Sequence, residues 1–410
     1  MLGHGIINIE IYKKTGGILI KRRGKILKDP FYDHNQEVKE VWDSFHAGRP
    51  IRMPMALSYN ARIILLNPRY NRGIDFQKYY SDPMVMLKVQ LQMQDYAKTH
   101  LWYDHEMGIP EEGYDVMIDF QNDVECCHLG ANVQFSDNNV PFVVPFLAHG
   151  DKCRLLNQGP VEPFNDFTEK LFSYYDAFCE QRDKGFLYNG KPLKNIGMAG
   201  MGTDGPFTLA CMLRGTENFC VDLFEDPDYA RGMLEFLTDN AIRRIKAFRK
   251  RLGMPEKLPS FAFADDSILL LSEDAYKEYI LPYHKKLVAE LSTGEQPNWV
   301  HFCGDASRHF VTIQKELHFG SIDTGFPIQH GKLVQQLAPG TAVWGGVHVD
   351  LLSKGTPEQV ERETLRIMRD VTPHTNFFVM KEANNLAPQT PEENIRAMYE
   401  TVRAYGKYQY

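Results

Sequence analysis

The segment N-W-V-H-F-C-G-D at residues 298–305 sets His301 and Cys303 two positions apart. Residues i and i+2 of an extended strand project to one face, so an imidazole and a thiolate in this spacing can converge on one metal ion. Zinc is the natural occupant of such a nitrogen and sulfur pair. The spacing alone is weak, because a His and a Cys two apart arise by chance and a buried cysteine commonly only packs. Its position at the end of a predicted strand gives the pair weight. Carboxylates accompany it: Asp265 and Asp266 close another predicted strand, and Asp323 closes the strand after 298–303. At a shared mouth they can orient a metal-bound imidazole or hydrogen-bond a substrate. The plainer alternative is helix capping by Asp266 or Ser267, since a helical stretch follows.

Other chemically suggestive stretches read as structure. Cys126, Cys127 and His128 resemble a metal cluster, but adjacent strand residues point to opposite faces and no further ligands lie nearby, so a packed core segment is preferred. The G-M-A-G-M-G run at 197–202 lacks the G-K-[ST] ending of a phosphate loop and the glycine spacing of a dinucleotide fingerprint. The seven cysteines, at 126, 127, 153, 179, 211, 220 and 303, form an odd, irregular set and are expected to be reduced thiols rather than a disulfide framework.

With 410 residues, 43% hydrophobic and 24% charged, the chain lies in the globular range. A net charge of −7 without a basic stripe argues against a nucleic-acid or anionic-membrane partner. No run approaches the roughly 20 apolar residues of a membrane span, and the N-terminus lacks the layout of a signal peptide. A cytoplasmic location is the expectation.

The residues named above need elements to hold them. From about residue 190 onward, short apolar segments alternate with longer segments of helical period, the pattern of β-α units with parallel strands. The reading predicts strands at 195–201, 260–264, 298–303, 320–324, 341–346 and 376–381, with a first at 52–57 and one at 114–120. Eight parallel strands with intervening helices predict an α/β fold, a single (β/α)8 TIM barrel over residues 46–410, preceded by an N-terminal extension over 1–45. After Ser272, the residues Tyr276, Tyr279, Ile280, Tyr283 and Leu287 recur at helical spacing. T-P-E-Q from Thr356 and T-P-E-E from Thr390 each read as a Thr cap, a Pro at the first helical position and a Gln or Glu three after the cap. In such a barrel, catalysis sits just past the C-terminal ends of the strands.

H-F-C-G-D, G-P-F-T-L-A at 205–210, D-D-S-I-L-L-L-S at 265–272 with L-P-Y-H at 281–284, and A-P-Q-T-P-E-E-N-I-R-A-M at 387–398 together resemble the uroporphyrinogen decarboxylase superfamily across roughly residues 46–410. True decarboxylases of that family carry an Arg-rich N-terminal segment and usually no H-x-C. Here M-P-M-A-L-S-Y-N-A-R stands at the corresponding place. The resemblance is therefore to the zinc-dependent corrinoid methyltransferase branch, which includes methylcobalamin:coenzyme M methyltransferases, whose ligands are His, Cys and a second Cys near the last strand. Alignment on the C-terminal motif places Asn384 where that second thiolate would be. We assign His301 and Cys303 as zinc ligands and Glu382, two residues before Asn384, as the third, with Asn384 as a weak ligand. The plainer alternative for Glu382 is a pair with a Lys or Arg in the barrel. The resemblance also implies an active-site Asp at 265 or 266, of which we favour Asp265, and puts Asp323 near an acidic position that is a candidate ligand in the zinc enzymes.

What the resemblance implies is a zinc-dependent transfer of a methyl group from a small-molecule donor to the cobalt of a corrinoid carried by a separate partner protein. An aryl methyl ether is the expected donor. Losing a thiolate leaves a harder metal that favours oxygen, and a phenolate departs more readily than an alkyl oxide. The alternatives are a coenzyme M-like thiol methyltransferase using a methylcorrinoid, a metal-free decarboxylase-like lyase, and a non-catalytic subunit of a corrinoid complex.

Overall fold

The computed structural model describes residues 9–14, 17–22, 25–137 and 139–408. Strands Phe378–Ala383, Ala342–His348, Phe319–Thr324, Asn298–Phe302 and Ala262–Ala264 form a five-stranded parallel sheet in that order. A parallel bridge from Met55 to Met380 adds the segment around residue 55 beside the last strand. Strands Tyr114–Met117 and Lys191–Gly197 pair in parallel as a second group. Ala264 N–H donates to Thr203 O at 3.0 Å and so ties the fourth strand to the chain that leaves the third. On the open side of the first strand, Asp104 N–H donates to Met55 O while its carboxylate accepts from Met55 N–H. These are eight parallel segments in chain order, a (β/α)8 barrel, and each expected strand overlaps one of them.

Helices follow the strands in turn, the largest being Pro83–His100, Asp166–Asp183, Pro227–Arg251, Leu281–Leu291, Ser307–Leu317, Pro357–Val371 and Glu392–Tyr405. They cover the outer face, where Val300, Phe302, Ile322, Phe378 and Met380 are fully buried, so hydrophobic burial holds the helices on the sheet. The helix Tyr32–His46 lies at the amino-terminal end of the barrel. Trp42 stacks on Trp344 with centroids 5.8 Å apart, Phe45 meets Phe377, and Glu37 joins the buried Arg52–Asp104 pair. The expected boundary at residue 46 thus falls at the end of a helix that packs on the barrel. Before it, strands Ile9–Lys14, Gly17–Arg22 and Lys25–Lys28 form an antiparallel meander. No helix among the described residues is long and apolar enough to cross a membrane.

Three local expectations change. Thr356 caps Pro357–Val371 with the full capping box, but the helix Glu392–Tyr405 starts after Pro391 with no side-chain cap. The Thr390 hydroxyl donates to Ala387 O instead. Cys126, Cys127 and His128 lie on the helix Val124–His128 rather than a strand, and all seven cysteines are free thiols. After Ser272, a π turn at Tyr276–Ile280 adds a residue to the helical repeat. The buried face then runs through Tyr276, Ile280 and His284, not Tyr283, which matters for the site below.

Candidate metal centre

His301 and Cys303 stand at the carboxyl end of Asn298–Phe302, with Nε2 and Sγ 3.1 Å apart. The imidazole is oriented from behind: Nδ1–H donates to Asp323 Oδ2 at 2.8 Å, which leaves the Nε2 lone pair toward the thiol. Asp323 is in turn held by Lys381, whose Nζ donates to both carboxylate oxygens at 3.0 and 2.8 Å and to Ser58 Oγ at 2.8 Å. Asp323, expected as a mouth carboxylate, is therefore the acceptor that fixes His301.

Strand register explains which neighbours reach the pair. Ala264 ends its strand beside His301, and the chain then turns into the short helix Asp266–Leu270, which directs Asp265 toward Phe207 and Thr208 and Asp266 toward Cys303. Asp266 Oδ1 accepts from Cys303 N–H at 2.7 Å, and Asp266, His301 and Cys303 each offer a ligand atom within 4.8 Å of the others. Asp265 is fully buried beneath the helix Pro206–Arg214. It accepts from Phe207 N–H, Thr208 N–H, the Thr208 hydroxyl and His284 Nε2–H, at 2.7 to 3.2 Å. Gly205, at φ +82°, admits this contact, since a Cβ there would lie 2.4 Å from the Asp265 side chain.

Strand parity applies at the last strand. Lys381 points inward to Asp323, so Glu382 faces away. Beyond it the strand ends: Asn384 N–H donates back to Glu382 O at 3.0 Å, and Asn384 takes φ 118°. This turn swings Asn384 inward, where its Oδ1 accepts from Cys303 Sγ at 3.2 Å. A non-glycine residue at such a φ is strained, a mark of functional sites. Glu382 and Asn384 are thus not brought together on one face. Glu382 Oε1 accepts from Ser58 N–H at 3.0 Å and lies 3.7 Å from Lys381 Nζ, while Oε2 is buried without a partner.

Burial raises the Glu382 carboxyl from 4.5 to about 8, against the pull of Lys381. Because the folded value exceeds the unfolded one, the native state retains the proton. The associated stability is present below pH 4.5 and is lost as pH rises through 8, by about 5 kcal/mol. Metal-free wild type should therefore lose Tm relative to Glu382→Gln as pH is raised from about 6 to about 9. A Tm difference that does not vary with pH over that range would mean that the carboxyl is ionised throughout.

The surroundings of the thiol are acidic. Burial, then the charge of and hydrogen bond with Asp266, then Asp323 and Asp204, push the Cys303 thiol well up. Asp204 is itself raised by burial and by Glu125 and Asp266. A bound divalent cation would relieve both and release the thiol proton, so the donor set fits a zinc ion. Arg62 brings positive charge. It is half-buried, its side chain donates to Asn60 Oδ1 at 2.9 Å, and it is in no ion pair among the described residues. Burial lowers its pKa, offset by Cys303 and Asp119. Gly325 closes the site from the sixth strand, because a Cβ there would overlap the Cys303 carbonyl.

Sequence reasoning missed Lys381 and Asp204, and it ranked Asp265 above Asp266. A lysine inside the buried run F-V-M-K-E-A was a signal, since a buried ammonium requires an anionic partner.

The family model described as Uroporphyrinogen decarboxylase (URO-D) matches residues 113–405. The methylated-thiol–coenzyme M methyltransferase of Methanosarcina mazei is 29% identical over 194 residues, 47% of this chain and 49% of that protein. The methylcobamide:CoM methyltransferase MtbA of the same organism is 24% identical over 211 residues, 49% of this chain and 56% of that protein. A uroporphyrinogen decarboxylase of Pelodictyon phaeoclathratiforme is 24% identical over 285 residues, 67% of this chain and 75% of that protein. The chain thus spans about half the length of the two methyltransferases. Among solved structures, a methyltransferase from Methanosarcina mazei superposes with a TM-score of 0.60 at 15% identity, covering 90% of this chain and 98% of that one, a likeness of fold.

Proposed function

The chain belongs to the uroporphyrinogen decarboxylase family, and from that premise we propose that it is a zinc-dependent methyltransferase that works with a corrinoid carried by a partner protein. The observation that carries the reading is the His301–Cys303 pair at the barrel mouth, with Asp323 fixing the far ring nitrogen. The reacting unit is the barrel of residues 46–410, with 1–45 as an extension. Because Cys303 must stay reduced, the cytoplasm is the compartment that suits it.

When bound, zinc supplies Lewis acidity toward the donor heteroatom, and the reduced corrinoid supplies the nucleophile. The protein's own residues bind and orient. His301 and Cys303 hold the ion, and Asp323 keeps the His301 Nε2 lone pair directed at it. Lys381 locks Asp323 through two hydrogen bonds, and Arg62 anchors an anionic group on the substrate. In the transfer, the bond between methyl carbon and aryl oxygen would break with its electron pair leaving on the oxygen, and the reduced corrinoid of the partner would supply both electrons of the new bond to the methyl carbon. The donor we propose is an aryl methyl ether, because oxygen ligands in place of a second thiolate make a harder site, and a phenolate with a pKa near that of Tyr, about 10, is a competent leaving group. The unpaired Arg62 favours a ring bearing a carboxylate.

A second reading, methyl transfer to a thiol, draws on the relatives, two of which are named for coenzyme M. One assay separates them. The zinc-loaded protein is mixed with a reduced corrinoid protein and methoxybenzoates, methoxybenzenes, methylthiols or methylamines, and cobalt methylation is followed by absorbance. We expect methylation from methoxyarenes, fastest from methoxybenzoates. Methylation from a methylthiol but no methoxyarene would replace the ether reading with the thiol one.

A further inference from the structure

We infer that Asp266, from the end of the fourth strand, is the third protein ligand of the metal centre, taking the place of a thiolate from the last strand. The inference rests on the metal reading above and concerns which residues hold the ion.

Two independent observations lead to it. The first is placement. The fourth strand ends at Ala264 beside His301, the chain then turns into the short helix Asp266–Leu270, and this turn brings the Asp266 carboxylate to Cys303 N–H; among the described residues Asp266, His301 and Cys303 alone form a cluster able to hold a metal ion. The second is that the competing carboxylate is diverted. Lys381 takes the inward position on the last strand, and Glu382 turns to the Ser58 N–H. The contact between Asp266 Oδ1 and Cys303 N–H holds the carboxylate against the thiol loop, with an oxygen within 4.8 Å of the ligand atoms of His301 and Cys303. A carboxylate needs that kind of support to act as an oriented ligand.

The consequence is a mixed centre with one imidazole, one thiolate and one carboxylate. Its two negative ligands cancel the charge of a divalent ion as two thiolates would, but one of them is a hard oxygen donor. The Asn384 amide oxygen beside Sγ is a neutral, weak ligand, suited to a fourth position that a substrate can displace. Such a centre should bind Co2+ and Zn2+ well and prefer thiophilic Cd2+ less than a two-thiolate site does.

The test uses the full-length protein and metal salts without substrate. Metal-free wild type, Asp266→Ala, Asp266→Asn, Asp266→Cys and Glu382→Gln are titrated with cobalt chloride and cadmium chloride against a competing chelator. The sulfur-to-cobalt charge-transfer absorption is recorded, and thermal melts of the metal-free forms establish folding. Wild type should bind one cobalt with the intensity of a single thiolate. Asp266→Ala and Asp266→Asn should weaken cobalt binding by at least about tenfold. Glu382→Gln should change it little. Asp266→Cys should restore binding, raise the charge-transfer intensity toward that of two thiolates and increase the preference for cadmium. Asp266 variants that fold and bind cobalt as wild type does would overturn the inference, as would loss of binding in Glu382→Gln alone. Wild type that binds no cobalt would sink the metal reading along with it. Metal binding as described without methyl transfer would leave the inference standing and reject only the proposed activity.

Discussion

Cys303→Ala is expected to lower zinc affinity by more than about 100-fold, beyond what loss of a supporting residue around a metal costs, and to reduce methyl transfer to background. Sγ sits 3.1 Å from His301 Nε2, 3.2 Å from Asn384 Oδ1 and within 4.8 Å of an Asp266 ligand atom, so it faces all three groups. Removing it leaves an imidazole and a carboxylate, a set that holds a divalent ion weakly. The fold should survive. The residue is only half-buried, the lost volume is small, and its backbone contacts with Asp266 and Phe326 do not depend on sulfur. Stability should change by about 1 kcal/mol or less. Metal content by mass spectrometry, beside a thermal melt of the metal-free protein, checks both halves. Wild-type zinc content in Cys303→Ala would place the ion elsewhere.

Asp265→Ala should have the opposite signature, a large loss of stability of about 3–5 kcal/mol. Its carboxylate is wholly buried and caps the helix Pro206–Arg214 from a neighbouring strand, doing for Phe207 and Thr208 what the side-chain-less Gly205 at the N-cap cannot. On its far side it receives His284 Nε2–H, whose Nδ1 lies 3.1 Å from the Tyr276 hydroxyl. Truncation strands these donors without water, and an unmet buried group costs far more than its hydrogen bond contributes. Denaturant unfolding of Asp265→Ala and Asp266→Ala side by side is the measurement. The first should be destabilised and the second close to wild type. Equal stability of Asp265→Ala and wild type, with activity lost, would return Asp265 to the reacting groups.

This contrast also marks how far the sequence could be read. The alternation of apolar and helical segments determined the barrel, because parallel β-α units bury their strands on both faces and leave a period visible in any single chain. H-x-C at a strand end determined that His301 and Cys303 share one face, because side-chain direction repeats every two residues within one strand. The capping box at Thr356 was equally local.

What lay beyond the sequence was set between strands. Whether Asp265 or Asp266 faces the mouth depends on the register that seats Ala264 beside His301 and on the turn into the short helix Asp266–Leu270 that follows it. Counting by twos from Asn384 back to Glu382 fails, since the strand ends at Ala383 and the turn with φ 118° at Asn384 breaks the alternation. Lys381 takes the inward place there because Asp323, far away in sequence, needs a cation beside it. The π turn that brings His284 rather than Tyr283 under the fourth strand is likewise invisible to a helical period. The local pattern determined which residue types could meet at the mouth. Only tertiary register and chain turns decided which of them do, because a carboxylate's role follows from the face on which it is held.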